Sequence, residues 1–437
     1  MPAQTLRLVP PPVRLSDAPA PSWAQIARLS DDTGLLGHAS TAIPRREQGY
    51  RVADAARGLL VASRDPRPNP QVVGLAERYV AFLLHAQSPD GAFHGRLGYD
   101  RRWLDEPSTG EPWGHAMWGL GTAAARSTVP WIRQGAADAF RLGARLRSAR
   151  PRAMALAGLG AAEVLRADPR ADPAADLLAD AATVVGLPGV DPSWAWPEPE
   201  LTYANPALAE VVVAAGDLLG DEALFAEGLR MLAWLCGVQE HDGHLSPVPD
   251  GGLRPETPGT RHADNRNGTD SGRSTNAPGC SSNVPADSRN VPADSSNVPA
   301  DSSSVLADSS SVLADSSSVL AGSTASSSDA ARGVQRPAEA AATADACATA
   351  VSVTGDAHWD VPLFQAVAWF LGDNDTGKVM YDPVTGGCFD ALTPDGPEHH
   401  QGAEATLALL STLQHARALA ARQPRDGRTV ANSRRRG

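Results

Sequence analysis

Apolar residues recur at helical spacing along most of the chain. Segments rich in Ala and Leu, and bounded by Gly, Pro or Asp, begin at residues 72, 113, 152, 207, 221, 341, 361 and 402. An apolar face that repeats every three to four residues is typical of amphipathic helices. No convincing run of alternating apolar and polar positions accompanies them, so the pattern predicts an all-α protein.

Two of the predicted helices end in the same motif. It occurs in "YVAFLLHAQSPDGAFHG" and "MLAWLCGVQEHDGHLSP", which place Gln87 and Gln239 in register, and more loosely in "AWFLGDNDTGKVMYD". An internal repeat of a helix and a turn indicates repeated helical hairpins. Hairpins that close into a ring form an (α/α) toroid, in which the inner-helix ends surround a central cleft. We therefore expect this fold.

A segment of different composition interrupts the helical pattern. Between about residues 255 and 333 the chain is mainly Ser, Asp, Ala, Pro and Asn, and a seven-residue unit repeats from 283 to 324. The units have too few apolar residues for a coiled coil and cannot offset the entropy lost on ordering. The predicted organisation is a disordered tail (1–26), the first part of the toroid (27–254), a disordered insertion (255–333), the second part of the toroid (334–421) and a basic disordered tail (422–437).

The charge balance limits the possible partners. The chain has 38 Lys+Arg against 50 Asp+Glu, a net charge of −12, which argues against nucleic acid and against an anionic membrane surface. The four cysteines, Cys236, Cys280, Cys347 and Cys388, form no CxxC pair and are predicted to be free thiols. Prolines interrupt the N-terminus where a signal peptide has an apolar run, and nowhere are eighteen apolar residues consecutive. We therefore expect a cytoplasmic protein.

Acidic and aromatic residues gather at helix starts and in loops rich in Gly and Pro. Trp and Tyr faces stack on sugar rings, and carboxylate, amide and guanidinium groups form the paired hydrogen bonds that a polyhydroxylated ligand requires. The sequence thus predicts a cleft that binds a carbohydrate. The expected substrate-binding residues are Tyr50, Arg57, Asp100, Arg101, Trp103, Trp196, Tyr203, Asn205, Asp390, His400 and Gln401.

Two carboxyl groups at a suitable separation are sufficient for glycoside hydrolysis. Glu404 and Glu339 are the preferred acid and base candidates, because each lies in a nearly uncharged helix of small residues where a surface carboxylate would usually have charged neighbours. Asp54, Glu198 and Glu111 are further catalytic candidates. The histidines show no metal-ligand spacing, so we predict neither a metal nor an organic cofactor.

Several of these residues also have a purely structural interpretation. Asp31 in "SDDTG" is typical of a helix N-cap. Asp100 can form an ion pair with a neighbouring arginine, and Trp194 and Trp196 can pack as a lid or plug. The sequence leaves these alternatives open.

Seven segments together resemble a known family. They are "SDDTGLLGHA", Pro44 to Arg57 with Gly49, Tyr50 and Asp54, "YDRRWLDE", "LTYAN", "DGHLSPV", "YDPVTGGCFDAL" and "HQGAEATLA". The chain resembles a bacterial family of six-hairpin glycosidase-like toroids, often described as glycosyltransferases or as glycosyltransferase-associated. The resemblance implies an (α/α)6 toroid and a glycoside-active enzyme that acts on an oligosaccharide or glycoconjugate.

The chain departs from the family pattern at several polar positions. Ala53 and Ala55 replace an acid and an amide, and Ala204 and Ala207 replace an acid and an arginine. These losses favour a second hypothesis, a catalytically degenerate sugar-binding or scaffold domain that assists a separate glycosyltransferase. A terpenoid-cyclase-like toroid is disfavoured, since the chain has no DDxxD cluster.

Overall fold

The computed structural model describes residues 18–255 and 333–422. Twelve α-helices lie within these two ranges. They are α1 (Ala24–Leu29), α2 (Val52–Ser63), α3 (Pro70–Ala86), α4 (Glu111–Arg126), α5 (Pro130–Gly143), α6 (Pro151–Ala167), α7 (Asp172–Val185), α8 (Asn205–Leu219), α9 (Glu222–Gln239), α10 (Pro337–Thr354), α11 (Asp360–Phe370) and α12 (Ala403–Arg422).

The strands of the described chain are short and lie in the connections between helices. Four antiparallel pairs are present: β1 (Ala39–Ser40) with β2 (Ile43–Pro44), β3 (Tyr50–Arg51) with β4 (Arg96–Leu97), β5 (Glu240–His241) with β6 (His244–Leu245), and β7 (Leu392–Thr393) with β8 (Gly396–Pro397). With two residues per strand they shape loops and form no sheet layer.

The helices form six hairpins that close into a ring. The even-numbered helices make the inner ring, in which α2 packs on α4, α4 on α6, α6 on α8, α8 on α10, α10 on α12, and α12 on α2. Each odd-numbered helix packs outside an inner helix, and α1 packs on α12, so the first and last helices complete the ring. The architecture is an (α/α)6 toroid, which confirms the predicted fold.

Small residues allow the inner helices to pack closely and in the same direction. Gly114 of α4 lies against Ala153 of α6, and seven residues later Gly121 lies against Gly160. A Cβ on Gly121 would lie 2.3 Å from the carbonyl oxygen of Gly160, so only glycine fits there. Because the contacts advance together along both helices, α4 and α6 run parallel. The first turns of α4 and α6 therefore meet at one end of the ring.

The repeated sequence motif marks the ends of outer helices. Gln87 follows α3, and its side-chain amide donates to the carbonyl oxygen of Ala139 on α5 at 2.9 Å. Gln239 ends α9, and its carbonyl oxygen accepts the Ser246 N–H at 2.7 Å. The third, looser copy follows α11. The repeated sequence motif thus corresponds to the repeated helical hairpin.

The predicted repeat insertion and most of both tails lie outside the described residues, so their predicted state stays a prediction. The same holds for Cys280. Cys236, Cys347 and Cys388 are free thiols, and the sulfur atoms of Cys236 and Cys347 lie 3.9 Å apart. Within 18–255 and 333–422, no helix combines the length and the apolar character needed to span a membrane.

Candidate active site

The first two turns of the inner helices carry a set of polar side chains. They are Asp54 and Arg57 on α2, Glu111 and His115 on α4, Arg152 on α6, Asn205 on α8, Glu339 on α10, and Glu404 on α12. Helix N-termini present unpaired N–H groups and partial positive charge, which favour acidic side chains and oxygen-rich ligands. This end of the ring is therefore the candidate active site.

An ion pair between Arg57 and Glu404 links α2 to α12. Nη1 of Arg57 donates to Oε1 of Glu404. The Glu404 side chain is 49% exposed, so a ligand can reach it. The Arg57 charge holds the pKa of Glu404 at about 2. Glu404 is thus ionised at neutral pH and can accept a proton or a hydrogen bond, but it has no proton to donate.

The surroundings of Glu339 shift its pKa in the direction opposite to that of Glu404. The Glu339 side chain is buried, its Oε1 accepts the Ala204 N–H at 2.5 Å, and its Oε2 has no hydrogen-bond partner among the described residues. Burial raises the pKa of Glu339 to about 7, against the effects of that N–H, Arg152 and Arg57. A carboxyl group with such a pKa is protonated often enough near neutral pH to act as an acid.

Asp54 is a second buried carboxyl group, on α2. Burial, assisted by repulsion from Glu404, raises its pKa to about 7, and its Oδ2 is unpaired within the described chain. His115 on the next inner helix is also buried, and burial followed by the Arg57 charge lowers its pKa to about 3. His115 is therefore neutral under ordinary conditions.

Arg152 organises the loop that enters α8. Its Nη1 and Nη2 donate to the Glu198 carboxylate at 2.7 and 2.9 Å. Its guanidinium carbon lies 4.7 Å from the centroid of the Tyr203 ring. The Tyr203 hydroxyl donates to Glu111, and burial together with this bond raises the pKa of Tyr203 to about 12. Tyr203 is 47% exposed, so a ring held by Arg152 and Glu111 remains open to a ligand.

Three more of the predicted site residues stabilise the loops that lead into α8 and α12. Asn205 Oδ1 accepts the Thr202 N–H at 3.1 Å. Asp390 Oδ1 accepts the Gly402 N–H at 2.6 Å, and burial raises the pKa of Asp390. Gln401, which is buried, accepts the Thr385 hydroxyl. These contacts position the backbone that precedes the inner helices.

The structure places the other predicted residues in different contacts. Tyr50 and Trp196 are fully buried, so their ring faces cannot stack on a ligand. Tyr50 instead donates to Asp31 Oδ2 at 2.6 Å, and Trp196 stacks on Trp234 at 6.1 Å. Buried aromatic rings are core residues, so Tyr50 and Trp196 both pack inside the protein. For Trp196 this favours the structural interpretation that the sequence left open.

The loop of "YDRRWLDE" is exposed and makes its own contacts. Arg101 donates to Asp32 at 2.8 Å. Asp100 forms an ion pair with the other neighbouring arginine, Arg102, at 3.9 Å, which is the structural interpretation that the sequence left open. Trp103 stacks on His94, with ring centroids 4.5 Å apart. The first acid of "SDDTG", Asp31, caps no helix, because it follows α1. Its Oδ1 instead accepts the N–H groups of residues 33 and 34 in a tight turn.

His400 is exposed at the turn before α12, where its Nδ1 accepts the Thr41 N–H at 3.1 Å. Arg152 and His115 are site residues that are absent from the predicted set. An arginine after a proline at a helix start carries no signal of its own, and its partner Glu198 is 46 positions away. Within the described ranges, no cluster of three or more His, Cys, Asp or Glu side chains is arranged to hold a metal ion.

Comparisons with known proteins identify the fold. No protein-family model and no curated protein sequence matches the chain. A sugar epimerase from a ruminal bacterium superposes with a TM-score of 0.57 and 11% identity, covering 92% of this chain and 95% of that chain. A cellobiose 2-epimerase from Spirochaeta thermophila DSM 6192 superposes with a TM-score of 0.55 and 13% identity, covering 90% and 93%.

A D-mannose isomerase gives a TM-score of 0.51 at 8% identity, covering 92% of this chain and 96% of that chain. Identities this low establish common architecture alone, and none of these structures supports the glycosyltransferase label. The chain therefore has the six-hairpin glycosidase-like toroid fold that its sequence motifs implied.

Proposed function

We propose that this protein is a carbohydrate-active enzyme that hydrolyses a glycosidic bond of an oligosaccharide or glycoconjugate. The observation that carries the proposal is a pair of carboxyl groups in different environments on the adjacent inner helices α10 and α12. Glu339 is buried, which raises its pKa to about 7, and its Oε2 is unpaired within the described residues. Glu404 is bound by Arg57, which lowers its pKa to about 2. Two carboxyl groups whose environments push their pKa values apart are typical of an acid and a base that work together.

The assigned roles follow from the protonation states. Glu339 donates a proton to the glycosidic oxygen as the carbon–oxygen bond breaks. Glu404 accepts a proton from the water that attacks the anomeric carbon. Arg57 keeps Glu404 ionised. The exposed Tyr203 ring offers a surface for stacking on the sugar.

A second candidate is the epimerisation or isomerisation of a sugar. It is favoured by the fold shared with a sugar epimerase, a cellobiose 2-epimerase and a D-mannose isomerase. The same acid and base would then exchange a proton at a sugar carbon next to the carbonyl group instead of assisting water. A third outcome, sugar binding without turnover, remains the alternative suggested by Ala53, Ala55, Ala204 and Ala207.

One experiment separates these candidates. The purified protein is incubated in D2O with mannose-, glucose- and galactose-containing oligosaccharides and with the free sugars, and the products are analysed by NMR and mass spectrometry. Hydrolysis releases shorter sugars without deuterium on carbon. Epimerisation or isomerisation places deuterium on carbon without shortening the chain. Thermal stabilisation by a sugar without any product indicates a binding domain.

Two variants assign the roles. We expect Glu404→Gln and Glu339→Gln each to lower turnover by about 10²- to 10⁴-fold, since each removes one partner of the acid and base pair. The matched control is Glu222→Gln, which changes an exposed glutamate in the first turn of the outer helix α9. Turnover that survives in both site variants would overturn the assignment.

A further inference from the structure

One peptide group in the site is held at both of its polar atoms. Nε of Arg152 donates to the carbonyl oxygen of Tyr203 at 2.5 Å. The N–H of the same peptide, on Ala204, donates to Oε1 of Glu339 at 2.5 Å. The C=O and N–H of a trans peptide point in opposite directions. The amide therefore lies between the guanidinium group and the carboxyl group.

The conformation of this segment depends on its surroundings. Ala204 has φ 48° and ψ 30°, a left-handed conformation that is unfavourable for a residue with a Cβ. Such a conformation persists only where neighbouring contacts enforce it. Arg152 supplies those contacts, because it binds the Tyr203 carbonyl oxygen and ring and, at 3.3 Å, Oδ1 of Asn205.

The Arg152 guanidinium is itself fixed. It is buried, and Glu198 binds it through two parallel hydrogen bonds. A planar guanidinium held by a carboxylate in this way has a defined orientation. Arg152 is thus a rigid support for the strained peptide.

We propose that Arg152 is a positioning residue that controls the proposed acid, Glu339, through the peptide group between Tyr203 and Ala204. The inference rests on the proposed function of Glu339. A donor bound to the carbonyl oxygen polarises the amide and strengthens its N–H as a donor to the carboxyl group. The positive charge of Arg152 acts on the same carboxyl group.

The charged groups around Glu339 come from three inner helices. Arg152 on α6 and Arg57 on α2 lower its pKa, as the Ala204 N–H does, whereas Glu404 on α12 raises it. Burial is the largest effect and also raises the pKa. Replacing Arg152 removes one of the three effects that oppose burial and weakens a second, the hydrogen bond from the Ala204 N–H, so the pKa of Glu339 should rise.

The first test is the pH profile of turnover in Arg152→Met. A reaction that needs protonated Glu339 loses rate as pH rises through its pKa. We expect the alkaline limb of kcat/KM to move to higher pH by about one unit, the size of effect that a nearby charge has on a carboxyl group. Arg152→Lys retains the charge without the paired geometry and should give a smaller shift. Arg170→Met, which removes an exposed arginine beyond α6, should give none.

The second test needs no turnover. Stability to urea is measured from about pH 6 to 8, where ordinary carboxyl groups have finished titrating, for the wild type, Arg152→Met, Glu339→Gln and the double variant. A higher native pKa of Glu339 makes stability fall more steeply with pH in Arg152→Met than in the wild type. In the Glu339→Gln background this pH-dependent difference should disappear.

The outcomes separate the two proposals. Suppose that the alkaline limb of kcat/KM is lost in Glu339→Gln but stays at the wild-type pH in Arg152→Met. Glu339 would then remain the acid, and the proposed role of Arg152 would be overturned. If the wild type turns over no sugar, the proposed function fails. The urea measurements on the wild type and the three variants then decide whether Arg152 controls the pKa of Glu339. A pH-dependent difference that persists without Glu339 would then overturn the inference. Should Arg152→Met fail to fold, Arg152→Lys takes its place in both tests.

Discussion

At the first turns of the inner helices, Asp54 and Glu339 each keep a buried carboxyl oxygen without a hydrogen-bond partner in the described chain. About two turns farther along α10, the buried acid Asp345 is surrounded by partners. Its Oδ1 accepts from Arg64 at 2.6 Å and from Ser411 at 3.3 Å, and Nε2 of His415 lies 2.6 Å away. Both regions bury carboxyl groups, but Asp345 forms an ion pair with Arg64, whereas no ion pair within the described residues involves Asp54 or Glu339.

The pKa values follow the partners rather than the burial. Burial raises the pKa of Asp54 and of Glu339 to about 7. Burial alone would raise that of Asp345 too, but Arg64 and His415 hold the pKa of Asp345 below its ordinary value. We call Asp345 with Arg64, Ser411 and His415 the deeper cluster. Glu210, near this cluster, is the exception, since burial and the Asp345 charge raise its pKa to about 7. Pairing stabilises the deeper cluster, whereas the first turns retain groups ready for proton transfer.

The largest expected effect breaks the deeper cluster. Arg64→Met leaves Asp345 buried without its main cation and should lower the free energy of unfolding by about 3 to 5 kcal/mol, measured by urea denaturation. Replacing both partners, in Arg64→Met with Asp345→Leu, should recover most of the loss because no buried charge is left unpaired. A cost below about 1 kcal/mol for the single variant, the value of an exposed pair, would contradict the distinction between the two regions.

The next effect is the pH dependence of stability. Asp54 and Glu339 have native pKa values near 7, above their ordinary values, so the native state binds more protons than the unfolded state between about pH 4 and 7. Each group therefore lowers stability as pH rises, by up to about 4 kcal/mol in total, and the change is complete about one pH unit above its native pKa. Asp54→Asn or Glu339→Gln should each remove its part of this slope.

Asp345 changes the stability with pH in the opposite direction. The lowered pKa of Asp345 contributes stability above its ordinary pKa, and that stability is lost only as pH falls below it. Urea titrations from acid to neutral pH check both signs. A slope between about pH 4 and 7 that is unchanged in both Asp54→Asn and Glu339→Gln would place those carboxyl groups in the ordinary pKa range.

The smallest effect concerns the exposed ring of Tyr203. Tyr203→Phe removes the hydroxyl that donates to Glu111 and keeps the ring, so the stability loss should be about 1 kcal/mol or less. Tyr203→Ala also removes the stacking face. It should weaken the binding of a sugar that stabilises the wild type in the screen by about 5- to 10-fold. Isothermal titration calorimetry measures the affinity of each variant and of the wild type for this sugar. Equal affinity in Tyr203→Ala and the wild type would remove Tyr203 from the binding surface.

The sequence could indicate some site residues because their signal is local. Glu339 and Glu404 stand out as carboxylates in nearly uncharged helices of small residues, and both lie in the first turns of inner helices. Tyr50 and Tyr203 have equally aromatic side chains, yet one is buried and the other half exposed. No local pattern distinguishes them, because exposure depends on what packs over each ring.

Apolar periodicity and the repeated hairpin motif predicted the toroid and eight of the twelve described helices, all but α1, α2, α5 and α7. They could do so because helix formation and the burial of an apolar face depend on residues close together in sequence. The protonation states depended on contacts between distant segments. Arg57 reaches Glu404 across 347 positions, and the Ala204 N–H reaches Glu339 across 135. Only the closed ring brings these groups within hydrogen-bond distance, and electrostatic effects on a pKa require that proximity.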